Sequence, residues 1–160
     1  MRFTTEEANT EPETGTERRQ AMDRETLIRM AIEAMGRSYS PYSGFRVGAA
    51  LLTKDGAVYQ GCNIENAAYT PTNCAERTAF FKAVSEGKRE FEAICIVGGP
   101  DGVLTDYTAP CGVCRQVMME FCDPDTFRII LAVDEEHCRE FRLKELLPMG
   151  FGPANLERSM

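Results

Sequence analysis

A chain of 160 residues can bury roughly two-thirds of its unfolded surface, and its apolar share of 43% is ordinary for a water-soluble globule. Its 18 basic residues against 25 acidic ones give a net charge of −7, which repels the phosphates on which nucleic-acid affinity rests and favours a small neutral partner over a polymer. No run approaches the ~18 apolar residues of a membrane span, no apolar signal segment opens the chain, and seven cysteines, an odd number, favour metal binding in a reducing cytoplasm over a disulfide framework.

Residues 1–22 are polar and biased in composition, as expected of a disordered leader or an expression remnant. Met22 is a candidate start, and residues 23–160 form the expected single domain. Asp23 is placed to cap a helix whose apolar residues Leu27, Ile28, Ala31, Ile32 and Met35 recur at helical spacing up to Gly36. Val47 to Leu52 has strand length, and Lys54-Asp55-Gly56 turns it into a second strand ending at Cys62. The small residues Gly48, Ala49 and Ala50 imply close packing on the first of these. An irregular segment follows, then a helix from about Cys74 to Glu86 ended by Gly87. Ala93 to Val97 reads as a strand running into a Gly98-Gly99-Pro100 loop. Pro110 suits the first position of a third helix, where its missing N–H costs nothing; that helix runs to about Phe121. Phe127 to Val133 is a fourth strand, Phe141 to Leu143 a short fifth, and Glu145 to Pro148 a last helical turn. This order predicts an α/β layered domain with a mixed sheet and helices on its faces.

Chemistry concentrates in Asn73-Cys74-Ala75-Glu76-Arg77 and Pro110-Cys111-Gly112-Val113-Cys114-Arg115. Cys74, Cys111 and Cys114 have the number and spacing of an open zinc site, since a catalytic zinc keeps three protein ligands and a structural one four. A ligand residue, one residue, Glu, then Pro-Cys-x-x-Cys is the zinc-deaminase pattern, with Glu76 as proton carrier and not a ligand; here Cys stands where that pattern has His. Cys111 and Cys114 lie about 60° apart on a helix face. Cys74 and Glu76 converge only if Cys74 sits ahead of its helix, so both helix N-termini should aim at the metal, where the dipole favours thiolates. Three thiolates on Zn²⁺ leave a formal charge of −1, which Arg77 is placed to drain. Other readings stand beside this one. Asn73 and Glu76 fit a capping box, Cys111 and Cys114 a redox pair or half of a closed zinc knot with Cys62 or another spare cysteine, and Arg77 and Arg115 ordinary surface charges. Of the remaining Cys62, Cys95, Cys122 and Cys138, most suit core filling, and His137, in an acidic run, suits solvent.

Four stretches carry a resemblance that spans roughly residues 24 to 157: Tyr42-Ser43-Gly44-Phe45-Arg46-Val47-Gly48-Ala49-Ala50, Gly61-Cys62-Asn63-Ile64-Glu65-Asn66-Ala67-Ala68-Tyr69, Cys74-Ala75-Glu76-Arg77 and Pro110-Cys111-Gly112-Val113-Cys114-Arg115-Gln116. In these the chain closely resembles the homotetrameric zinc-dependent cytidine deaminases. The resemblance implies a three-layer cytidine-deaminase-like α/β domain, with a mixed five-stranded sheet and helices on both faces. It implies one Zn²⁺ per subunit, a nucleoside substrate, and pockets shared between the subunits of a homotetramer. It also implies the conversion of cytidine and 2′-deoxycytidine to the uridine products and ammonia, in pyrimidine salvage. Carried over by position, Asn63 and Glu65 match the pair that binds sugar hydroxyls, Phe45 an aromatic packed on the nucleoside, and Ala75 the residue whose N–H holds the pyrimidine carbonyl. Ala67 and Tyr69 match residues lent to a neighbouring subunit. Phe151 matches an aromatic stacked over the base from another subunit, although the family's Leu-Pro-Gly-Ala-Phe reads Leu147-Pro148-Met149-Gly150-Phe151 here. The rival readings are a deaminase for another cytosine compound such as blasticidin, a polynucleotide editor, and a non-enzymatic zinc module with a fourth protein ligand.

Overall fold

Side-chain alternation in Phe45–Thr53 (β1) sets the layering. Ala49 and Leu51 point into one apolar cluster, while Ala50 and Leu52 point into another, and all four are buried. A strand buried on both faces must be covered on both. A computed structural model describes residues 22–156 of the chain. The leader expected over residues 1–22 therefore lies outside the described residues except for Met22, which packs partly buried beside the second cluster.

β1 pairs antiparallel with Val58–Cys62 (β2) and with Phe91–Pro100 (β3); Arg128–Ala132 (β4) pairs parallel with β3, and Cys138–Arg142 (β5) antiparallel with β4. The result is a mixed five-stranded sheet in the order β2-β1-β3-β4-β5. Helix Arg24–Met35 (α1) covers one face through Leu27, Ile28, Ala31 and Met35 against Ala50, Leu52, Cys95 and Val97. Helices Ala75–Ser85 (α2) and Gly112–Phe121 (α3) cover the other, where Phe80 and Met118 meet Leu51, Ile94, Ile96 and Ile129. The expected mixed sheet with helices on both faces is thus present. A short helix, Leu143–Leu146 (α4), and a 3₁₀ turn, Pro153–Asn155, complete the chain's described part.

The Asp23 cap is made: its carboxylate accepts the Thr26 N–H at 2.8 Å. Other expectations shift. Gly98, Gly99 and Pro100 belong to β3 and not to a loop, because the start of β1 pairs with them, Val47 opposite Gly98 and Phe45 opposite Pro100. The fifth strand lies at 138–142, earlier than expected. The third helix begins at Gly112 with Cys111 as its cap, so Pro110 precedes the helix and does not open it. Cys95 and Cys122 fill core as expected, whereas Cys62 and Cys138 are only partly buried. The exposed His137 faces Asp134 at 2.8 Å, which raises its pKa above the usual 6.5.

Two glycines let helices touch the sheet. At Gly48 a methyl group would lie 2.0 Å from the Ala31 carbonyl oxygen, so α1 crosses β1 there. At Gly61 it would lie 2.3 Å from the Ala75 oxygen and 2.6 Å from the Ala79 nitrogen, so the first turns of α2 rest on β2. Gly61→Ala should therefore force α2 off the sheet and lower stability by about 1–3 kcal/mol. Gly112→Ala, whose methyl group would meet nothing within 4 Å, should leave the urea midpoint in place. Equal midpoints for the two variants would contradict this packing.

Candidate metal centre

Helices α2 and α3 both start on a cysteine. Cys74 (φ −74°, ψ 157°) and Cys111 (φ −67°, ψ 167°) are the N-caps, in extended backbone conformation and without a side-chain capping bond. Ser, Thr, Asp or Asn at such positions would spend its side chain on the helix's own N–H groups; these thiols instead face each other. Cys114, in the first turn of α3, completes the group. The three sulfurs lie within 4.8 Å of one another, and among the described residues no other set of three or more His, Cys, Asp or Glu side chains gathers in this way. Tetrahedral zinc with ~2.3 Å sulfur bonds holds its sulfurs about 3.8 Å apart, and Cys74 and Cys111 are 3.8 Å apart. The donor set and spacing fit one zinc ion.

The electrostatics also suit an anionic cluster. Hydrogen bonding from Cys114 foremost, with Arg77 and Cys111 contributing, lowers the Cys74 thiol to about 5, while Cys74 and burial push Cys114 up. Cys74, at the positive end of α2, is thus placed to carry negative charge. Arg77 donates from Nη2 to the Cys74 sulfur at 3.5 Å, and its Nε is buried with no hydrogen-bond partner among the described residues. A guanidinium held at such a cost is compensated by negative sulfur beside it.

Glu76, the second residue of α2, is only 4% exposed. Burial pushes its carboxyl up to about 7 from the ordinary 4.5, the range in which a carboxyl can both take and give a proton near neutrality. The capping-box alternative is overturned. Cys74 is the cap, and the Asn73 side chain donates to Thr78 Oγ1 at 3.1 Å while its backbone bridges Ile64. Cys62 is not in the cluster either; its thiol donates to the Arg37 carbonyl at 3.3 Å, so the closed four-cysteine knot is not formed.

A cavity of about 180 Å³ opens beside the cluster. Cys74, Ala75, Glu76 and Cys111 line it together with Asn63 and Glu65. Asn63 Oδ1 accepts from Ser38 Oγ and from the Val47 N–H, and its Nδ2 donates to the Phe45 carbonyl. Glu65 Oε2 accepts from the Tyr42 and Ser43 N–H groups, and Oε1 accepts from the Ser43 hydroxyl. Phe45, Ala67, Tyr69 and Phe151 do not line the cavity. Ala67 and Tyr69 project from a loop pinched at its base by two 2.9 Å hydrogen bonds between Ile64 and Asn73, with Tyr69 76% exposed. Phe151 is also exposed, on a tail whose Phe151 carbonyl accepts from Gln116 Nε2 at 2.8 Å.

Residues 21–130 match the profile of the family described as the cytidine and deoxycytidylate deaminase zinc-binding region. The chain belongs to this deaminase family. It is 52% identical over 130 residues to a cytidine deaminase of Halalkalibacterium halodurans, covering 81% of this chain and 95% of that one. It is 48% identical over 135 residues to that of Sporosarcina psychrophila, covering 84% and 96%. The crystal structure of cytidine deaminase from Burkholderia pseudomallei superposes with a TM-score of 0.75 at 46% identity, covering 81% of this chain and all of that one. A zinc-binding family and a cluster compatible with one zinc ion thus coincide in this deaminase chain.

Sequence reading missed what holds these residues. Arg115, read as a surface charge, is partly buried; it donates from Nε to the Pro110 carbonyl at 2.8 Å and from Nη1 to the Leu146 carbonyl at 2.5 Å, tying the cysteine loop to the tail. Thr108, also in the cavity wall, donates to the Gly98 carbonyl at 3.0 Å. Cys111→Ala should leave the purified protein with less than about a tenth of its zinc by elemental analysis, because a three-donor site loses a whole ligand. Retention of one zinc per chain would remove Cys111 from the cluster's function.

Proposed function

We propose that this chain hydrolyses cytidine and 2′-deoxycytidine to uridine and 2′-deoxyuridine, releasing ammonia, as a step of pyrimidine salvage in the cytoplasm. The observation that carries the reading is one cavity with a sulfur cluster and a buried carboxyl at one end and an amide–carboxylate pair at the other. Cys74, Cys111 and Cys114 would hold the metal. Bound zinc supplies the Lewis acidity that makes water a competent nucleophile near neutral pH. Arg77 offsets the negative charge of the three thiolates.

Glu76 does the proton work. Its carboxylate takes a proton from the attacking water and passes it to the ring nitrogen; it then carries the proton of the new C4 hydroxyl to the departing 4-amino group, so that water and cytidine leave as uridine and ammonia. Burial, which brings its pKa to about 7, supports both directions of transfer. Ala75 opens α2, where a backbone N–H has no acceptor within the helix, and is thus free for the pyrimidine carbonyl. Asn63 and Glu65 take the sugar hydroxyls, and Phe45 packs on the nucleoside.

The pocket is shared in a homotetramer, with Ala67, Tyr69 and Phe151 lent to a neighbour. Support comes from the exposure of Tyr69 and Phe151 on their own chain and from the cavity's size, about 180 Å³, below the ~300–1,000 Å³ usual for ligand sites. The net charge of −7 favours a free nucleoside over a polynucleotide. Among the described residues no helix is long and apolar enough to cross a membrane.

Glu76→Gln should keep one zinc per chain while kcat/KM for cytidine falls about a thousandfold; a loss of less than about tenfold would remove its proton-carrying role. Light scattering at assay concentration should give the mass of four 17.9 kDa chains, about 72 kDa, for a closed symmetric assembly. A monomer that turns over cytidine at the full rate would contradict the shared pocket.

A further inference from the structure

The sugar end of the cavity is built from polar groups whose hydrogen-bonding capacity can be counted. A carboxylate offers about four lone-pair sites and an amide two acceptor sites and two donors. Glu65 spends three of its four, on the Tyr42 N–H at 3.0 Å, the Ser43 N–H at 3.2 Å and the Ser43 hydroxyl. Asn63 spends both acceptor sites of Oδ1, on Ser38 and on the Val47 N–H at 2.9 Å, and one Nδ2 proton on the Phe45 carbonyl at 2.8 Å. The amide orientation is fixed, because the Val47 N–H can only donate and the Phe45 carbonyl only accept. What remains is one N–H on Asn63 and one lone pair on Glu65. A single hydroxyl, accepting from that N–H and donating to that lone pair, fits the remainder.

Ser43 is the pivot of this arrangement. The Phe45 N–H donates to Ser43 Oγ at 3.0 Å. An ionised carboxylate only accepts, so the hydroxyl proton must point to Glu65. The Ser43 bond is also the leading cause that lowers the Glu65 pKa below 4.5, keeping the group an acceptor. The hydroxyl therefore links the backbone of Phe45 to the carboxylate of Glu65, fixing which lone pair stays free and where it points. We infer that Ser43 is a positioning residue for sugar recognition, setting Glu65 so that it and Asn63 select a substrate bearing a sugar hydroxyl at that point. This rests on the proposed sugar-binding role of Asn63 and Glu65 and adds the group that enforces it.

The test compares kcat/KM for cytidine with that for 2′,3′-dideoxycytidine, which lacks both ring hydroxyls, in the zinc-loaded enzyme. Loss of a hydrogen bond that positions a charged group is worth about tenfold or more. Ser43→Ala should therefore cut the cytidine-to-dideoxycytidine ratio at least tenfold, mainly through KM for cytidine, with kcat within about threefold of wild type. Ser43→Thr, which keeps the hydroxyl, should retain the ratio. A purely structural role would lower turnover of both substrates alike and leave the ratio unmoved; that result overturns the inference. Glu65→Gln separates the two levels. If it leaves the ratio intact, the sugar-binding reading itself fails; if it collapses the ratio while Ser43→Ala does not, only the role of Ser43 fails.

Discussion

Three sulfurs held within 4.8 Å of one another concentrate negative charge once they act as metal-binding thiolates, and that charge needs compensation. Two helix ends and a guanidinium answer that demand. The caps of α2 and α3 place two of the three sulfurs at positive helix ends, and the guanidinium of Arg77 lies against Cys74. The parallel pairing of β3 with β4 makes the connection through α3 a strand–helix–strand crossover. Such a crossover sets the helix N-terminus beyond the carboxyl end of the preceding strand, which brings Cys111 to the edge of the sheet where Cys74 waits. The glycine at position 61 fixes the other half, since α2 rests on β2 with backbone against backbone. The cluster's geometry is thus set by sheet topology and by one missing methyl group, not by flexible side chains.

The opposite end of the cavity works on a different principle. There Asn63 and Glu65 are saturated by their own fold almost to the last hydrogen bond, and a ligand would be offered only what is left. Rigid placement of this kind lowers the ordering cost at binding. Asn63 and Glu65 reach back to residues 38–47, so the segment after α1 and the start of β1 double as scaffold for this end of the cavity. The sulfur cluster and this amide–carboxylate pair meet in one small cavity.

How much of this could be read from the residues follows from how local each cause is. Helix periodicity, the Asp23 cap and the turn at Gly56 are short-range, and they appear where the sequence placed them. The cysteine–glutamate constellation was legible because few structural needs produce that spacing. Gly98-Gly99-Pro100 was misjudged because its strand state depends on a partner some fifty residues away; Phe45, Arg46 and Val47 supply the pairing. Pro110 and Asn73 each looked like the start of a helix, but the residue after each, a cysteine, takes the cap and turns its sulfur to the cluster. The tie of Arg115 to Pro110 and Leu146 was hidden for the reason that governed Gly98: one acceptor lies 31 positions away. Long-range hydrogen bonds leave no periodic trace.

The tail after α4 contains a turn whose cost has no local return. Met149 sits in the left-handed backbone region (φ 53°), where the resembling motif has glycine, and its side chain is fully in solvent. An L-residue held there gives up about 1 kcal/mol, and a side chain that packs on nothing in its own chain cannot offset it. The bend leads into Phe151, two residues on, whose carbonyl is held by Gln116. Relaxing it would re-aim that exposed ring, so durability and the direction of the tail are coupled at this corner.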